Sequence, residues 1–334
     1  MEFRMPPLMY NQNGEVRKAG FEIEFGDIDL DIAASCIIDV FGGIQQKENQ
    51  FYRKVVNTSI GDFNLRIDTR LLTEKSYKNF FKKIGLETEE IPNKESFFEK
   101  ALESIASFVV PYEIGAPPVP FTEVHVLDKL RKALYEKKAG GTTSSILYAF
   151  AIHINPELPQ YDHPTILRYL RAFFLFYHWL MEELEVNFTR RITPFINPFP
   201  EEYILLVLHY GYNPDFETLM EDYHKFNPDR NRPLDLYPVF AFFNKEKVAK
   251  LPDVGKVTPR PTFHYRIPNS MIDEPDWSLA RCWNSWVEIE KLASDSESLK
   301  NLCKEYLDLK DRTLIGFKNK WKKRIQNWIN AQQT

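Results

Sequence analysis

Cysteine is scarce in this sequence, and its placement excludes two protein classes. The three residues, Cys36, Cys282 and Cys303, are odd in number and far apart. That fits neither a disulfide framework nor a CxxC metal site. Long hydrophobic runs are missing too. None reaches the roughly 18 residues of a membrane span, and residues 1–10 hold no apolar stretch of signal-peptide length. A reducing, cytoplasmic setting is therefore the expectation. The sequons at Asn57 and Asn187 are then chance matches. Charge of one sign is not in excess: the net charge is −4, which argues against a protein built on nucleic-acid backbone binding. The stretch Gly140 to Ser145 lacks the GxxxxGK[ST] phosphate loop, and no GxGxxG occurs anywhere. No repeat of 20–50 residues and no low-complexity linker divides the chain.

Aromatic residues, by contrast, are plentiful. With 26 Phe and 16 Tyr in 334 residues, the chain can fill a sizeable core. Its most informative stretch is Gly20-Phe21-Glu22-Ile23-Glu24-Phe25-Gly26, which alternates strictly. Phe21, Ile23 and Phe25 share one face of an extended chain, and Glu22 and Glu24 the other. Two carboxylates then stand about 7 Å apart along the strand. Such a pair can hold Mg²⁺ or Mn²⁺, or it can simply face water. Asp27, Asp29 and Asp31 imitate a calcium loop, but Ile32 and Ile38 occupy the positions that need Gly and Glu. Asp29 or Asp31 instead suits the cap of a helix over 31–41, ended by Gly42-Gly43.

Further strands follow. Residues 51–69 predict a hairpin with Asn64, Arg66 and Asp68 on its polar face. Residues 73–100 read as solvated helix and loop. The strand 107–116 carries Glu113 between apolar neighbours and stops at Pro117-Pro118. The apolar strand 146–155 carries His153 and Asn155 on one face. The last strand, 260–268, carries His264 and Arg266 on one face. Helices are predicted over 123–138, 164–184, 200–209, 214–225, 234–243, 275–293, 296–309 and 313–331. The loop Asn227-Pro228-Asp229-Arg230-Asn231-Arg232-Pro233 presents two arginines. The expected architecture is α+β: one domain over 1–310 with a mostly antiparallel sheet, helices on one face, and Glu, His and Arg on the other. Residues 311–334 form a basic amphipathic helix, either docked on that domain or surface-binding.

These pieces, in this order, resemble the amidoligase family. They are Gly20 to Phe25, Val110-Pro111-Tyr112-Glu113, Phe150 to Asn155, Asn227 to Asp235 and Arg260 to Asn269. The family belongs to the glutamine synthetase-like superfamily of carboxylate–amine ligases, which includes glutamate–cysteine ligases. The resemblance implies a curved antiparallel sheet, like the glutamine synthetase catalytic domain, that cups ATP, Mg²⁺ or Mn²⁺ and a carboxylate substrate. It implies that Glu22, Glu24, Glu113 and His153 are metal ligands, with His264 where glutamine synthetases carry a glutamate. Imidazole can also ligate a metal, but its neutral charge and softer nitrogen depart from the family's pattern, so the resemblance does not carry over the usual metal count and metal identity. Asp62 and Asp68 are candidates for the remaining carboxylates. The resemblance further implies that Arg230, Arg232 and Arg266 hold the transferred phosphoryl group and that Asn155, Asn231 and Arg260 bind the cofactor. The implied reaction joins a glutamate-like or peptide carboxylate to an amine through an acyl phosphate, at the expense of ATP. Two other readings share these residues: a guanidino kinase-like phosphotransferase on the same fold, and a non-catalytic binding or scaffold protein. The implied partners are small-molecule or peptide carboxylates and amines, with no nucleic acid and no membrane span.

Overall fold

Among the described residues the strands form a nine-stranded sheet, most of them with alternating apolar and polar residues, and helices cover its apolar face. The structure, a computed structural model, describes residues 1–67, 111–142, 150–186, 190 and 196–332. Asp68, the stretch 73–100, residues 107–110 of the strand expected over 107–116 and residues 146–149 of the strand expected over 146–155 lie outside these residues. In chain order the elements are β1 (Lys18–Phe25), α1 (Leu30–Phe41), β2 (Ile44–Asn49), β3 (Tyr52–Val56), β4 (Phe63–Ile67), β5 (Tyr112–Gly115) and β6 (Val119–Pro120). After a 3₁₀ turn at Phe121–Val126 come α2 (Leu127–Glu136), β7 (Ile152–Pro156), α3 (His163–Glu183), α4 (Glu201–Leu208), α5 (Phe216–Phe226) and β8 (Leu234–Asp235). The chain continues through α6 (Tyr237–Phe243), α7 (Lys245–Ala249), β9 (His264–Tyr265), α8 (Leu279–Ser294), α9 (Ser296–Arg312) and α10 (Phe317–Ala331). No helix among the described residues is long and apolar enough to cross a membrane.

The strands run in the order β2-β3-β4-β5-β1-β7-β9-β8, with β6 beside the start of β1. Among the described residues every strand pairing is antiparallel. The α+β class expected from the sequence is the class observed. Phe21, Ile23 and Phe25 of β1 are buried, as are Ile114, Ile152 and Ile154 beside them. This apolar face packs on α8. Trp283 meets Phe21 and Phe121, and Trp286 meets Phe263 and Tyr265. At the far end α1 covers the same face, where Phe41 stacks on Phe63. Asp29, not Asp31, caps α1, accepting from the Ile32 N–H. Asp162 caps α3 in the same way, and proline is tolerated in that first turn because its missing N–H has no helical partner there.

Some elements differ from expectation. The hairpin is a three-stranded meander, because the polar segment Ile44–Asn49 pairs as an exposed edge strand with no apolar face to announce it. The strand expected over 260–268 shortens to His264–Tyr265. Pro261 and Pro268 lack ladder donors, and neighbouring residues bond irregularly, Phe263 N–H to the Pro156 carbonyl and Arg266 N–H to the Pro233 carbonyl. The helix expected at 234 starts at Tyr237, because Leu234 and Asp235 pair with β9. The last helix starts at Phe317, after Gly316 in the left-handed region.

One buried ion pair ties the sheet to α8. Arg17 donates to both Glu290 carboxylate oxygens, at 2.9 and 2.7 Å, and neither side chain is exposed. Arg17 also donates to the Leu8 and Glu157 carbonyls, while Tyr169 and Trp286 donate to Glu290. Each charge is thus hydrogen-bonded on several sides, the condition under which a buried pair is tolerated. Glu290→Gln leaves the Arg17 charge uncompensated. A loss of about 3–5 kcal/mol in urea unfolding is expected, and an unchanged midpoint would show that the pair does not hold α8.

The helix α10 lies along α3, where Trp321 donates to the Leu175 carbonyl at 2.8 Å and Trp328 meets Phe176 edge-on. His178 of α3 sits against Phe317. Burial pushes its pKa down from 6.5 to about 4, helped by Lys318, Lys310 and Lys322. The folded state therefore binds fewer protons than the unfolded state between these values. The contribution of His178 to stability is complete above about pH 6.5 and is lost as pH falls toward 4. In His178→Phe the acid-side decline should be shallower over that window. Denaturant melts at stepped pH measure it, and an identical slope would contradict this role.

Candidate active site

The register of β1 assembles the polar face. Glu22 lies opposite His153 of β7 and Gly115 of β5, Glu24 opposite Glu113, and Gly20 opposite Asn155. Opposed residues of antiparallel strands share a face, so Glu22, Glu24, Glu113, His153 and Asn155 stand together. Beyond β5, Arg66 lies opposite Glu113, and Asn64 opposite Gly115. Beyond β7, His264 lies opposite Asp235.

At the centre, His153 Nδ1 is 3.1 Å from Glu22 Oε2, and His264 Nε2 is 3.7 Å from the same oxygen. The two imidazoles meet edge-on with centroids 5.0 Å apart. One ligand atom from each of Glu22, His153 and His264 lies within 4.8 Å of the others. Asn155 donates to Glu22 Oε1 at 3.1 Å. Glu24 accepts the Ala151 N–H at 2.8 Å, and its second oxygen is 3.7 Å from His153 Nε2. Glu113 is buried and receives Arg66 at 2.6 Å.

Burial sets the charge state here. It pushes the His153 pKa well below its usual value against the pull of Glu22, with Arg266 and His264 adding to the fall. It pushes His264 down to about 4 although Glu22 and Asp235 oppose it. Both rings are therefore neutral at physiological pH, the form that ligates metals. Neither ring nitrogen of His264 makes a hydrogen bond, and its Nδ1 stands 3.5 Å from Asp235 Oδ2. Burial alone would raise the Asp235 pKa. Arg230 at 2.9 Å, His264 and the Tyr237 N–H outweigh it and bring the carboxyl down to about 2.

The arginines expected to hold phosphate divide. Arg266 donates to the Arg230 carbonyl at 2.7 Å, and its charge acts on both histidines. Arg230 joins Asp235 and the Lys256 carbonyl. Arg232 turns to the Pro198 and Asn197 carbonyls, and Asn231 bonds to Asp229 and Asn197. Among the described residues, the hydrogen bonds and ion pairs of Arg232 and Asn231 go to Asn197, Pro198 and Asp229. Arg260 stands 3.9 Å from Glu22 Oε1. Asp62 accepts the Asn57 N–H in the β3–β4 turn. Three residues of the site were not among the expected ligands and phosphate holders. Asp235 stands beside His264 Nδ1, Arg66 donates to Glu113, and the buried Arg190 donates to the Arg266 and Ile267 carbonyls and to Asn269. Arg66 was legible as a polar-face residue; Arg190 has no local signal.

A cavity of about 520 Å³ opens beside Glu22. Tyr52, Asn64, Arg66, Glu113, Asn155 and Arg260 are among its walls. A groove of about 830 Å³ near α3, α4, α9 and α10 is lined instead by Tyr177, Phe199, Tyr306 and Phe317 and by none of the clustered residues.

No curated protein and no solved structure matches the chain. A family model does. Residues 15–288, which span β1 through most of α8 and so every residue of the cluster, match the family described as "putative amidoligase enzyme", and the chain belongs to that family.

Proposed function

We propose that the protein is an ATP-dependent carboxylate–amine ligase that works on the polar face of the sheet. Family membership supports a ligase-type enzyme. The observation that carries the finer reading is the convergence of Glu22, His153 and His264, with Glu24 and Glu113 on the same face. The donors fit a divalent cation. A carboxylate and two neutral imidazoles are grouped within 4.8 Å, and His264 has two buried nitrogens with no hydrogen bond. Imidazole suits Mn²⁺ better than Mg²⁺, which favours all-oxygen sites. Glu22, His153 and His264 would hold the ion, with Glu24 and Glu113 as further oxygen donors.

A carboxylate reacts with an amine only after one of its oxygens becomes a leaving group. In this reading the substrate carboxylate takes the terminal phosphoryl group of ATP and releases ADP. The amine nitrogen then attacks the acyl carbon and phosphate departs. A bound cation would neutralise phosphate charge during the transfer, which depends on alignment and charge more than on covalent help. The chain's own residues supply the rest. Arg266, fixed by the Arg230 carbonyl and by Arg190 behind its own carbonyl, sets positive charge beside the histidines. Arg260 brings a guanidinium to the open side of Glu22. Asp235, 3.5 Å from His264 Nδ1, would hold the ring when its other nitrogen meets a cation.

Two measurements test this reading. Mn²⁺ should raise the melting temperature of the wild type. Asp235→Asn, which removes the carboxylate beside His264 Nδ1, should weaken that metal affinity about 10–100-fold, and equal affinities would remove Asp235 from the site. With ATP, a divalent cation and a panel of carboxylates and amines, ADP release should accompany amide formation. Arg266→Lys keeps the charge but loses the planar fork, so turnover should fall on the order of 10²-fold. ADP formation with no amide from any pair would refute the ligase assignment.

A further inference from the structure

The last two helices meet in a turn that sends apolar side chains outward. Between the end of α9 at Arg312 and the start of α10 at Phe317, Leu314 is 100% exposed and Ile315 is 89% exposed. Packing within the chain therefore does not call for aliphatic residues there. Gly316, at φ 80°, makes the left-handed step into α10, and polar residues before it would serve the turn as well. One exposed aliphatic side chain is ordinary and needs no account. Two in succession at the tip of a loop are a different matter when the surroundings are charged.

That charge is one-sided. Residues 310–324 hold seven lysines and arginines and a single acid, Asp311. The segment carries +6, although the whole chain carries −4. The sequence of α10 contains no carboxylate. Its apolar edge is already in use, since Phe317, Trp321, Ile325 and Trp328 are buried. Three of the cations are answered within the protein: Lys310 by Glu201, Lys322 by Glu182 and Arg324 by Glu305. Arg312, Lys318, Lys320 and Lys323 are exposed and form no ion pair among the described residues. The segment lies beyond residues 15–288, so the family match does not account for it.

We propose that the α9–α10 turn seats the protein on an anionic membrane surface. Leu314 and Ile315 enter the interface, and Arg312, Lys318, Lys320 and Lys323 meet the lipid headgroups. Interfacial binding is driven by buried apolar area and by attraction to anionic lipid, and this one surface offers both. The helix α10 stays docked on α3, so the contact is adsorption through a loop tip and not a span. Nucleic acid would use the cations but leave the aliphatic tip in water, and Trp321 and Trp328, which could stack on bases, are buried. A second copy of the chain at this face would set like charge against like. The proposal does not depend on the ligase reading.

Co-sedimentation of the full chain with vesicles tests it, phosphatidylserine-rich against pure phosphatidylcholine. Binding to the anionic vesicles is expected to be stronger by about tenfold or more, and high salt should weaken it. Leu314→Ser with Ile315→Ser removes the apolar tip, keeps every charge, and should weaken binding by about tenfold or more. Lys318→Glu with Lys320→Glu and Lys323→Glu should abolish it. All five positions are exposed, so the melting temperatures should stay at the wild-type value. An environment-sensitive fluorophore on Leu314→Cys, where Cys36, Cys282 and Cys303 are buried, should shift to the blue on anionic vesicles. Equal binding to both vesicles, full binding without the tip, or an unshifted fluorophore would each overturn the proposal. Tighter binding to a duplex RNA would reassign the surface to nucleic acid, and a dimer broken by the serine variant would reassign it to a second copy.

Discussion

Glu22 faces His153 on one side of β1 and Gly115 on the other, and this register is the constraint on which the polar face depends. A slip of one residue would send Phe21, Ile23 and Phe25 to the polar side and Glu22 and Glu24 into the core. The packing of Phe21 against Trp283 opposes that slip from below. The Arg17–Glu290 pair pins the chain just before β1 to α8. Core and site are therefore one structure seen from two faces: the burial that fixes the strand also aims its carboxylates.

The same face concentrates charge in a water-poor setting, and the chain resolves that in two ways. Carboxylates are matched by guanidinium groups, Glu113 by Arg66 and Asp235 by Arg230. Imidazoles are kept neutral by burial, and the Arg266 charge reinforces this. The result is an electron-pair donor set around Glu22 beside an arginine-rich rim. His264 stands out because its ring nitrogens are buried with carboxylates near but no hydrogen bond. Such an arrangement is costly on its own and favourable around a cation.

Much of this was legible in the sequence, and the reasons for the rest are physical. Strict alternation places Glu22 with Glu24, and His153 with Asn155, on shared faces without knowledge of partners. The α+β class followed from the order of strands and helices. The neighbour order β5-β1-β7 did not, since pairing depends on contacts more than 80 residues apart in sequence, as between Glu24 and Glu113. Arg190 could not be read locally because its acceptors lie in the segment Arg266–Asn269. The loop Asn227–Pro233 offered two arginines of equal appearance, yet Arg230 turns to Asp235 and Arg232 to the Pro198 carbonyl. Backbone direction within a proline-bounded loop decides that, and composition does not encode it. The edge strand β2 was missed because an exposed polar strand carries no hydrophobic pattern.

The central claim is that Glu22, His153 and His264 together hold a divalent ion. Pulsed electron paramagnetic resonance of Mn²⁺ added to the protein addresses it directly, because imidazole nitrogen bound to the ion imprints its nuclear coupling on the signal. Nitrogen couplings from two histidines are expected, reduced to one in His264→Ala. A spectrum with no nitrogen coupling, the signature of an ion held by water and oxygen alone, would contradict the account.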